Sequence, residues 1–177
     1  MPSSKSYSEL KKSDFFEFFN LREIERQKLS KTVKKIKLKP GGFQEHIDIE
    51  FKVKNDLLVS AKLILDRQWI GSAKTINPFG KDIAKSFIVA VIPSEERESV
   101  RNLVHFLFNL RGNEDIIIPV QKVYQFYEKS EPEIEPFLDV YRNQKKHAEF
   151  GLKDSKFIIK NIHVEEIDRL VIKWLKI

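Results

Sequence analysis

The stretch QEHIDIEFKVKNDLLVSAK, residues 44–62, decides the fold because it predicts two adjacent antiparallel strands. Apolar and polar residues alternate strictly along its first half, which is the pattern of a strand with one covered face. Asn55 and Asp56 in the middle are a turn signal. The second half is apolar on both faces apart from Ser60 and Lys62. The stretch therefore predicts a hairpin whose second strand lies inside a sheet, covered on both sides.

Three charged residues of this hairpin raise the functional question. Asp48 and Glu50 stand on the polar side of the first strand, and Lys62 interrupts the apolar second strand. Residues two apart on a strand share a face, so the register decides whether the lysine joins the acids. A loop of three residues places Lys62 opposite Glu50, and a loop of five places it opposite Asp48. A loop of two or four separates the acids from the lysine.

Composition narrows the class of protein. The chain has 177 residues, of which 41% are hydrophobic and 33% charged, enough apolar material for one domain with a real core. Cysteine is absent, which excludes disulfides, thiolate nucleophiles, cysteine-ligated zinc and iron–sulfur clusters. The N-terminal residues show no apolar signal region, and no apolar run reaches membrane-spanning length. We therefore expect a cytoplasmic protein with no membrane partner.

The balance of charge is basic, with a formal net charge of +6. A positive chain suits an anionic partner such as DNA or RNA, although an AT-rich or thermophilic genome gives the same lysine-rich composition. The candidate phosphate contacts form one lysine run, namely Lys34, Lys35, Lys37 and Lys39. The alternative for this run is a solvated strand edge that lysines protect from further pairing.

An acidic stretch at residues 128–139 opposes the lysine run in sign. It suits docking on the basic strand of a second copy, which would make a homo-oligomer. The alternative is a solvated connector between two elements. The sequence leaves both interpretations open.

Periodicity along the rest of the chain predicts an α/β fold. The predicted strands are residues 33–39, 46–54, 57–65, 87–93, 115–119 and 155–162. The predicted helices are residues 6–30, 78–85, 94–112, 120–129, 137–147 and 164–177. An apolar strand, a helix and a second apolar strand in succession predict a right-handed parallel crossover. We therefore expect a mixed central sheet with flanking helices at residues 1–120 and a mostly helical extension, packed on that core, at residues 121–177.

This order of elements resembles the PD-(D/E)XK superfamily, the restriction-endonuclease-like fold, and so do the stretches HIDIEFKVKNDLLVSAK, FIVAVIPSEERESVRNLVHFLF and DIIIP. The resemblance covers residues 10–120. It implies an acid on the second strand and an acid-x-Lys on the third, which converge on Mg²⁺ so that the metal activates a water and neutralises a phosphate. Carried over, Asp48 matches the first acid and Lys62 the lysine, while Ser60 stands where the second acid belongs.

The departure at Ser60 matters because Mg²⁺ relies on carboxylates and water as ligands. Glu50 on the neighbouring strand, or Glu17 or Glu25 from the predicted first helix, would have to replace the missing carboxylate. The resemblance therefore implies a catalytic set that consists of Asp48, Glu50 and Lys62. The two acids of this set would also hold the metal.

Three functions remain open from the sequence. The leading one is a nucleic-acid-binding protein with an eroded nuclease-like site and no cofactor. The second is an active nuclease that uses Mg²⁺. The third is a non-enzymatic scaffold or assembly subunit that binds protein, in which the charged hairpin is a solvated surface of individually weak ion pairs.

Overall fold

The computed structural model describes residues 4–72, 75–110 and 132–177. Within these ranges the strands are β1 (Arg22–Lys28), β2 (Val33–Lys39), β3 (Ile47–Lys54), β4 (Leu57–Asp66), β5 (His147–Gly151), β6 (Ser155–Val164) and β7 (Ile167–Lys176). The α-helices are α1 (Tyr7–Leu10), α2 (Asp14–Phe18), α3 (Arg67–Ile70), α4 (Pro78–Val91), α5 (Arg101–Phe108) and α6 (Glu135–Tyr141). A 3-10 helix spans Ser94–Val100.

The described strands form one sheet in the order β1-β2-β3-β4-β7-β6-β5. Strands β1 to β4 form a meander, the chain then passes through helices to the far edge, and a second meander returns to pair β7 with β4. The protein is therefore α/β, as predicted, with β4 in the middle of the sheet. The prediction of a mixed sheet was wrong for the described residues, because every strand pair among them is antiparallel.

Two-residue turns connect the strands of the two long hairpins. Asn55 and Asp56 join β3 to β4 with φ of 49° and 66°, and Glu165 and Glu166 join β6 to β7 with φ of 53° and 66°. Positive φ at both central residues is the signature of a type I′ turn, whose twist matches that of antiparallel strands. Asn and Asp adopt this conformation readily, which explains why the first turn was predictable and the second was not.

The N-terminal segment is not the single helix predicted for residues 6–30. Ser6 and Ser13 each accept a hydrogen bond from the backbone N–H three residues later, and so begin two short helices. Asn20 then takes a positive φ of 50°. The charged stretch that follows forms the edge strand β1, which is exposed along its whole length. The second capping serine was the signal against one continuous helix.

Residues 87–93, predicted as a buried strand, lie almost entirely in helix α4. Asn77 caps this helix by accepting a hydrogen bond from the N–H of Phe79, and Pro78 occupies its first turn. Its buried residues recur at helical spacing, namely Gly80, Ile83, Ala84, Phe87, Ile88, Ala90 and Val91. A short apolar run fits a buried strand or a buried helix equally well. The predicted parallel crossover therefore loses its first strand.

The helix predicted at residues 94–112 is divided into the 3-10 helix and α5, and Ser94 makes no capping hydrogen bond. Glu96, in the 3-10 helix, is buried and accepts hydrogen bonds from Asp154 N at 2.8 Å and Ser155 Oγ at 2.7 Å. These bonds tie the helical layer to the start of β6. The strand predicted at residues 115–119 and the helix at residues 120–129 lie outside the described residues.

The described C-terminal region, residues 132–177, is not mostly helical. The predicted strand at residues 155–162 is present as β6, but the predicted closing helix is β7, and β5 was not predicted. Leu170, Ile172 and Trp174 of β7 alternate on one buried side, and β4 and β6 satisfy its backbone on both sides. Because β7 pairs with β4, the sheet is continuous from the N-terminal strands to the C-terminal ones.

The described helices cover one face of the sheet. Each contributes buried residues to one apolar cluster, which also holds alternate residues of the strands. Phe51 of β3 lies 6.1 Å from Phe16 between ring centroids, and Phe15 lies 6.2 Å from Phe87 of α4. Val171 is buried but lies outside this cluster, on the opposite side of β7. We call the covered side of the sheet the core face and the opposite side the open face.

Arg67, just after β4, connects three elements from a buried position. Its guanidinium donates to the backbone oxygens of Gly71, Val140 and Tyr141 and to Oδ1 of Asn161. Burial lowers its pKa to about 10. No described carboxylate pairs with it, and the carbonyls at the C-terminus of α6 supply partial negative charge instead. This network joins β4, α6 and β6, which is a structural role.

Candidate nucleic-acid interface

The open face carries more basic than acidic residues. Strand alternation and pairing place these basic residues on it: Lys35, Lys37, Lys39, Lys52, Lys54, Lys62, Lys156, Lys160, Arg169 and Lys173. They place these acidic residues on it: Glu25, Asp48, Glu50, Asp66 and Glu149. In the described part of the chain no helix packs on this face, and most of its side chains are half-buried or exposed.

The hairpin register places Asp48, Glu50 and Lys62 together on the open face. Glu50 and Lys62 are direct cross-strand neighbours. The two-residue turn alone would put the lysine on the other side, but a β-bulge at Val59, which has no residue opposite it on β3, restores the shared face. The prediction that a two-residue loop separates the acids from the lysine was wrong, because it did not include the bulge.

Lysines of β2 already hold both acids. Asp48 Oδ1 lies 2.7 Å from Lys39 Nζ, and Glu50 Oε1 lies 3.5 Å from Lys35 Nζ. Lys62 forms no ion pair with any residue that the structure describes. The three residues therefore share a face, but the ammonium of Lys62 is not joined to either carboxylate.

Asp48 and Glu50 fit Mg²⁺ poorly. The described residues contain no group of three His, Asp or Glu side chains that could hold a metal ion. Of the two glutamates considered as replacements, Glu25 lies 3.1 Å from the ammonium of Lys37 on β2, and Glu17 lies on α2 among the helices of the core face. With only two carboxylates, each engaged by a lysine, the charge that Mg²⁺ needs is not assembled here.

Four lysines from four adjacent strands gather at the centre of the open face, and we call Lys52, Lys62, Lys160 and Lys173 the lysine cluster. Lys62 and Lys173 are direct cross-strand neighbours. Burial, and then the charges of Lys62, Lys52 and Lys160, lower the pKa of Lys173. Like charges directly opposite each other destabilise a sheet. Glu50, directly opposite Lys62, offsets part of this repulsion, and a further anion on this face would relieve the rest.

The lysine run of β2 is divided between the two faces. Lys35 and Lys37 lie on the open face, each beside a glutamate of a neighbouring strand. Lys39 lies there too, but its ammonium donates to two backbone oxygens at the β2–β3 connection, at 2.6 and 3.1 Å. It therefore anchors that connection. Lys34 alternates to the other side of β2, where it pairs across the strands with Val53.

No protein-family model, curated protein or solved structure matches this chain. The resemblance to the PD-(D/E)XK superfamily therefore stays a prediction. Two of the elements on which it rested, the first helix and the strand at residues 87–93, differ in the structure. No helix in the described ranges combines the length and the hydropathy needed to cross a membrane.

Four aromatic residues lie where β3 begins and β4 ends, and we call Phe43, His46, Trp69 and Phe79 the aromatic patch. Phe43 and Phe79 are exposed, and His46 and Trp69 are half-buried. Ring centroids are 5.1 Å apart for Phe43 and Trp69 and 5.4 Å apart for Phe43 and Phe79. His46 stacks on Trp69 at 5.4 Å with the ring planes 6° apart. The patch was not predicted from the sequence. The available signal was an aromatic residue directly after Gly-Gly and another directly after a helix-starting proline, where no strand or helix period requires one.

The backbone and side-chain contacts of the patch link it to the open face. Phe43 has a φ of 56°, which is rare for a bulky residue and costs on the order of 1–3 kcal/mol. His46 Nδ1 lies 3.3 Å from Asp66 Oδ2, and Asp66 is the last open-face residue of β4. The patch therefore adjoins the end of the open face through His46 and Asp66, while Phe79 belongs to α4 on the core face.

Proposed function

We propose that this protein binds nucleic acid through the open face of its sheet, with phosphates seated over the lysine cluster, and does not cleave the bound strand. The lysine cluster carries the proposal. It brings lysines from four adjacent strands together, and Lys62 forms no ion pair with any described residue, although Glu50 lies opposite it. A surface selected for solubility alone intersperses the two signs of charge, whereas this one keeps a direct lysine–lysine pair at its centre.

The absence of cleavage follows from the state of the hairpin acids. Asp48 and Glu50 are each engaged by a lysine, and Ser60 supplies no carboxylate. Metal-assisted hydrolysis requires an ion that stabilises the attacking and leaving oxygens. The open face supplies positive charge from lysines, which holds a phosphate without activating water.

Binding of this kind has a defined salt signature. Contacts to phosphate carry no sequence information, so affinity is nearly independent of sequence. Each neutralised phosphate adds about 0.9 on duplex DNA, or about 0.7 on a single strand, to the slope of log affinity against log salt. If four to six open-face lysines engage phosphates, a slope of about 3 to 5 follows.

The test is a fluorescence anisotropy titration of a labelled oligonucleotide at several salt concentrations. The test variant is Lys62→Gln with Lys173→Gln, and the matched control is Lys12→Gln with Lys85→Gln, which removes the same charge from the helical side. We expect the first to lower the slope by about 1.5 and the second to leave it nearly unchanged. No wild-type affinity at low salt would contradict the proposal and favour a protein-binding scaffold. An equal decrease of the salt slope in both variants would show that binding depends on net charge and not on the lysine cluster.

A further inference from the structure

Two rings of the aromatic patch are exposed to solvent. Phe43 is 47% exposed and Phe79 is 58% exposed, although each contacts another ring of the patch. Exposed apolar groups that cluster mark interaction sites more often than those scattered singly. The left-handed backbone at Phe43 holds its ring between Trp69 and Phe79, so the surface is formed before any partner arrives.

The connection that carries Phe43 is fixed to the sheet. Lys39 donates to the backbone oxygens of Gln44 and Ile47, where the β2–β3 connection enters β3, and contacts Asp48 at 2.7 Å. Rings held in place before binding lose little conformational entropy on binding. The patch is therefore suited to stacking against a flat partner.

The aromatic patch adjoins the end of the open face that carries the lysine cluster. Asp66 ends the open face of β4 and contacts His46, which stacks on Trp69. Lys62 precedes Asp66 by four residues on β4, about 13 Å along the strand. A short oligonucleotide spans this distance.

The charges beside the patch indicate which part of an oligonucleotide it receives. Glu45 Oε1 lies 3.5 Å from His46 Nε2, and Asp66 lies on the other side of the same ring. These carboxylates repel phosphates, so the patch suits an uncharged planar group. The phosphates find their countercharge at the lysine cluster.

We propose, building on the nucleic-acid binding proposed above, that the ligand is single-stranded and that its bases stack on the exposed rings of Phe43 and Phe79 in the aromatic patch. Every base has a π face, so this contact tolerates any sequence. In a duplex the bases are already stacked and paired, so a duplex engages the lysine cluster alone.

Three labelled probes of equal length test the inference by anisotropy. They are a single-stranded oligonucleotide, its duplex, and an abasic single strand that keeps the phosphates and lacks the bases. The test variant is Phe43→Leu with Phe79→Leu, which keeps apolar volume and removes the π faces. Its control is Phe18→Leu, since Phe18 is 73% exposed on the helical side. We expect the test variant to lose about ten-fold in affinity for the single strand, and nothing for the duplex or the abasic strand.

The outcomes separate the two proposals. Unchanged single-strand affinity in the Phe43→Leu, Phe79→Leu variant overturns the stacking inference and leaves lysine-dependent binding in place. No binding of any probe by the wild type overturns the proposed function. If the double variant does not fold, the comparison of the normal and abasic strands on the wild-type protein tests the inference by itself. Equal wild-type affinity for the normal and abasic strands overturns the inference.

Discussion

The two faces of the same strands differ in what they contribute to the molecule. On β3, Phe51 is 1% exposed and contacts two aromatic rings of the helical layer, while the next residue, Lys52, points to the open face. The core face gains about 25 cal/mol for each Å² of apolar surface that it buries. The open face gathers lysines that repel one another. Period-two alternation thus lets one side hold the fold while the other carries charge that opposes it.

The largest effect we expect comes from comparing alanine substitutions at two adjacent residues of β3 that lie on opposite faces of the sheet. Phe51→Ala should lower the free energy of unfolding by about 3–5 kcal/mol, because it leaves a cavity among aromatic rings. Lys52→Ala, one residue away, should change it by no more than about 0.5 kcal/mol. Urea unfolding followed by circular dichroism measures both. Similar small effects at the two positions would show that the faces are not as different as described.

The next comparison lies within the open face, between the lysine cluster and the lysines of β2. Replacing all four cluster lysines by Gln should lower the salt slope of oligonucleotide binding by about 3. Replacing Lys35 and Lys37 by Gln should lower it by less than about 1, because Glu50 and Glu25 already partner them. Anisotropy titrations at several salt concentrations give both slopes. A larger decrease of the slope from replacing Lys35 and Lys37 would indicate that phosphates bind near the β2 edge of the sheet.

A smaller effect concerns cleavage and Ser60. We expect wild-type plasmid cleavage in Mg²⁺ to be absent or very weak. Ser60→Glu restores the superfamily pattern but places a carboxylate opposite Lys52, so it should weaken oligonucleotide binding relative to the neutral control Ser60→Gln. Isothermal titration with Mg²⁺ shows whether Ser60→Glu also gains metal affinity, as the resemblance implies. Robust wild-type cleavage that Asp48→Ala abolishes would establish the active nuclease instead.

The smallest effect is a pH dependence of stability from the lysine cluster. The pKa of Lys173 is lowered in the folded state, so between that pKa and the unfolded value of about 10.4 the unfolded chain binds more protons. The stability contributed by Lys173 therefore rises with pH in this window. Relative to Lys173→Met, the wild type should become more stable as the pH rises toward the unfolded pKa of about 10.4.

Lys37→Met is the matched control for that measurement. A hydrogen bond and the charge of Glu25 raise the pKa of Lys37, so its contribution is fully present below the unfolded pKa and is lost only above it. The difference between wild type and Lys37→Met should stay constant over the same interval. Urea midpoints at each pH provide the data. A constant difference for Lys173→Met as well would argue against repulsion in the cluster.

The sequence predicted those elements whose pattern is local. Strands β2, β3, β4 and β6 follow from alternation or from an apolar run beside a turn signal. Strand β7 did not, because Val171 between Leu170 and Ile172 produces an unbroken apolar run that also fits a helix. Only pairing with β4 and β6 decides between them, and that pairing is invisible in the local sequence.

The candidate site shows the same limit. Asp48, Glu50 and Lys62 lie in one hairpin, so the local sequence was enough to select them as candidates. The bulge at Val59, which places them on one face, was not predicted. The lysine cluster was not predicted, because Lys173 reaches Lys62 only through the β4–β7 pair and was expected in a helix. Contacts made across the sheet by distant segments are the part that the sequence alone does not specify.

Lysine footprinting tests most directly whether the open face is the binding surface. Acetylation of each lysine, with and without saturating oligonucleotide, is measured by mass spectrometry on the wild-type protein. We expect protection of Lys52, Lys62, Lys160 and Lys173 and no change at Lys12 and Lys85 on the helical side. Protection of Lys12 and Lys85 with unchanged reactivity across the lysine cluster would contradict it.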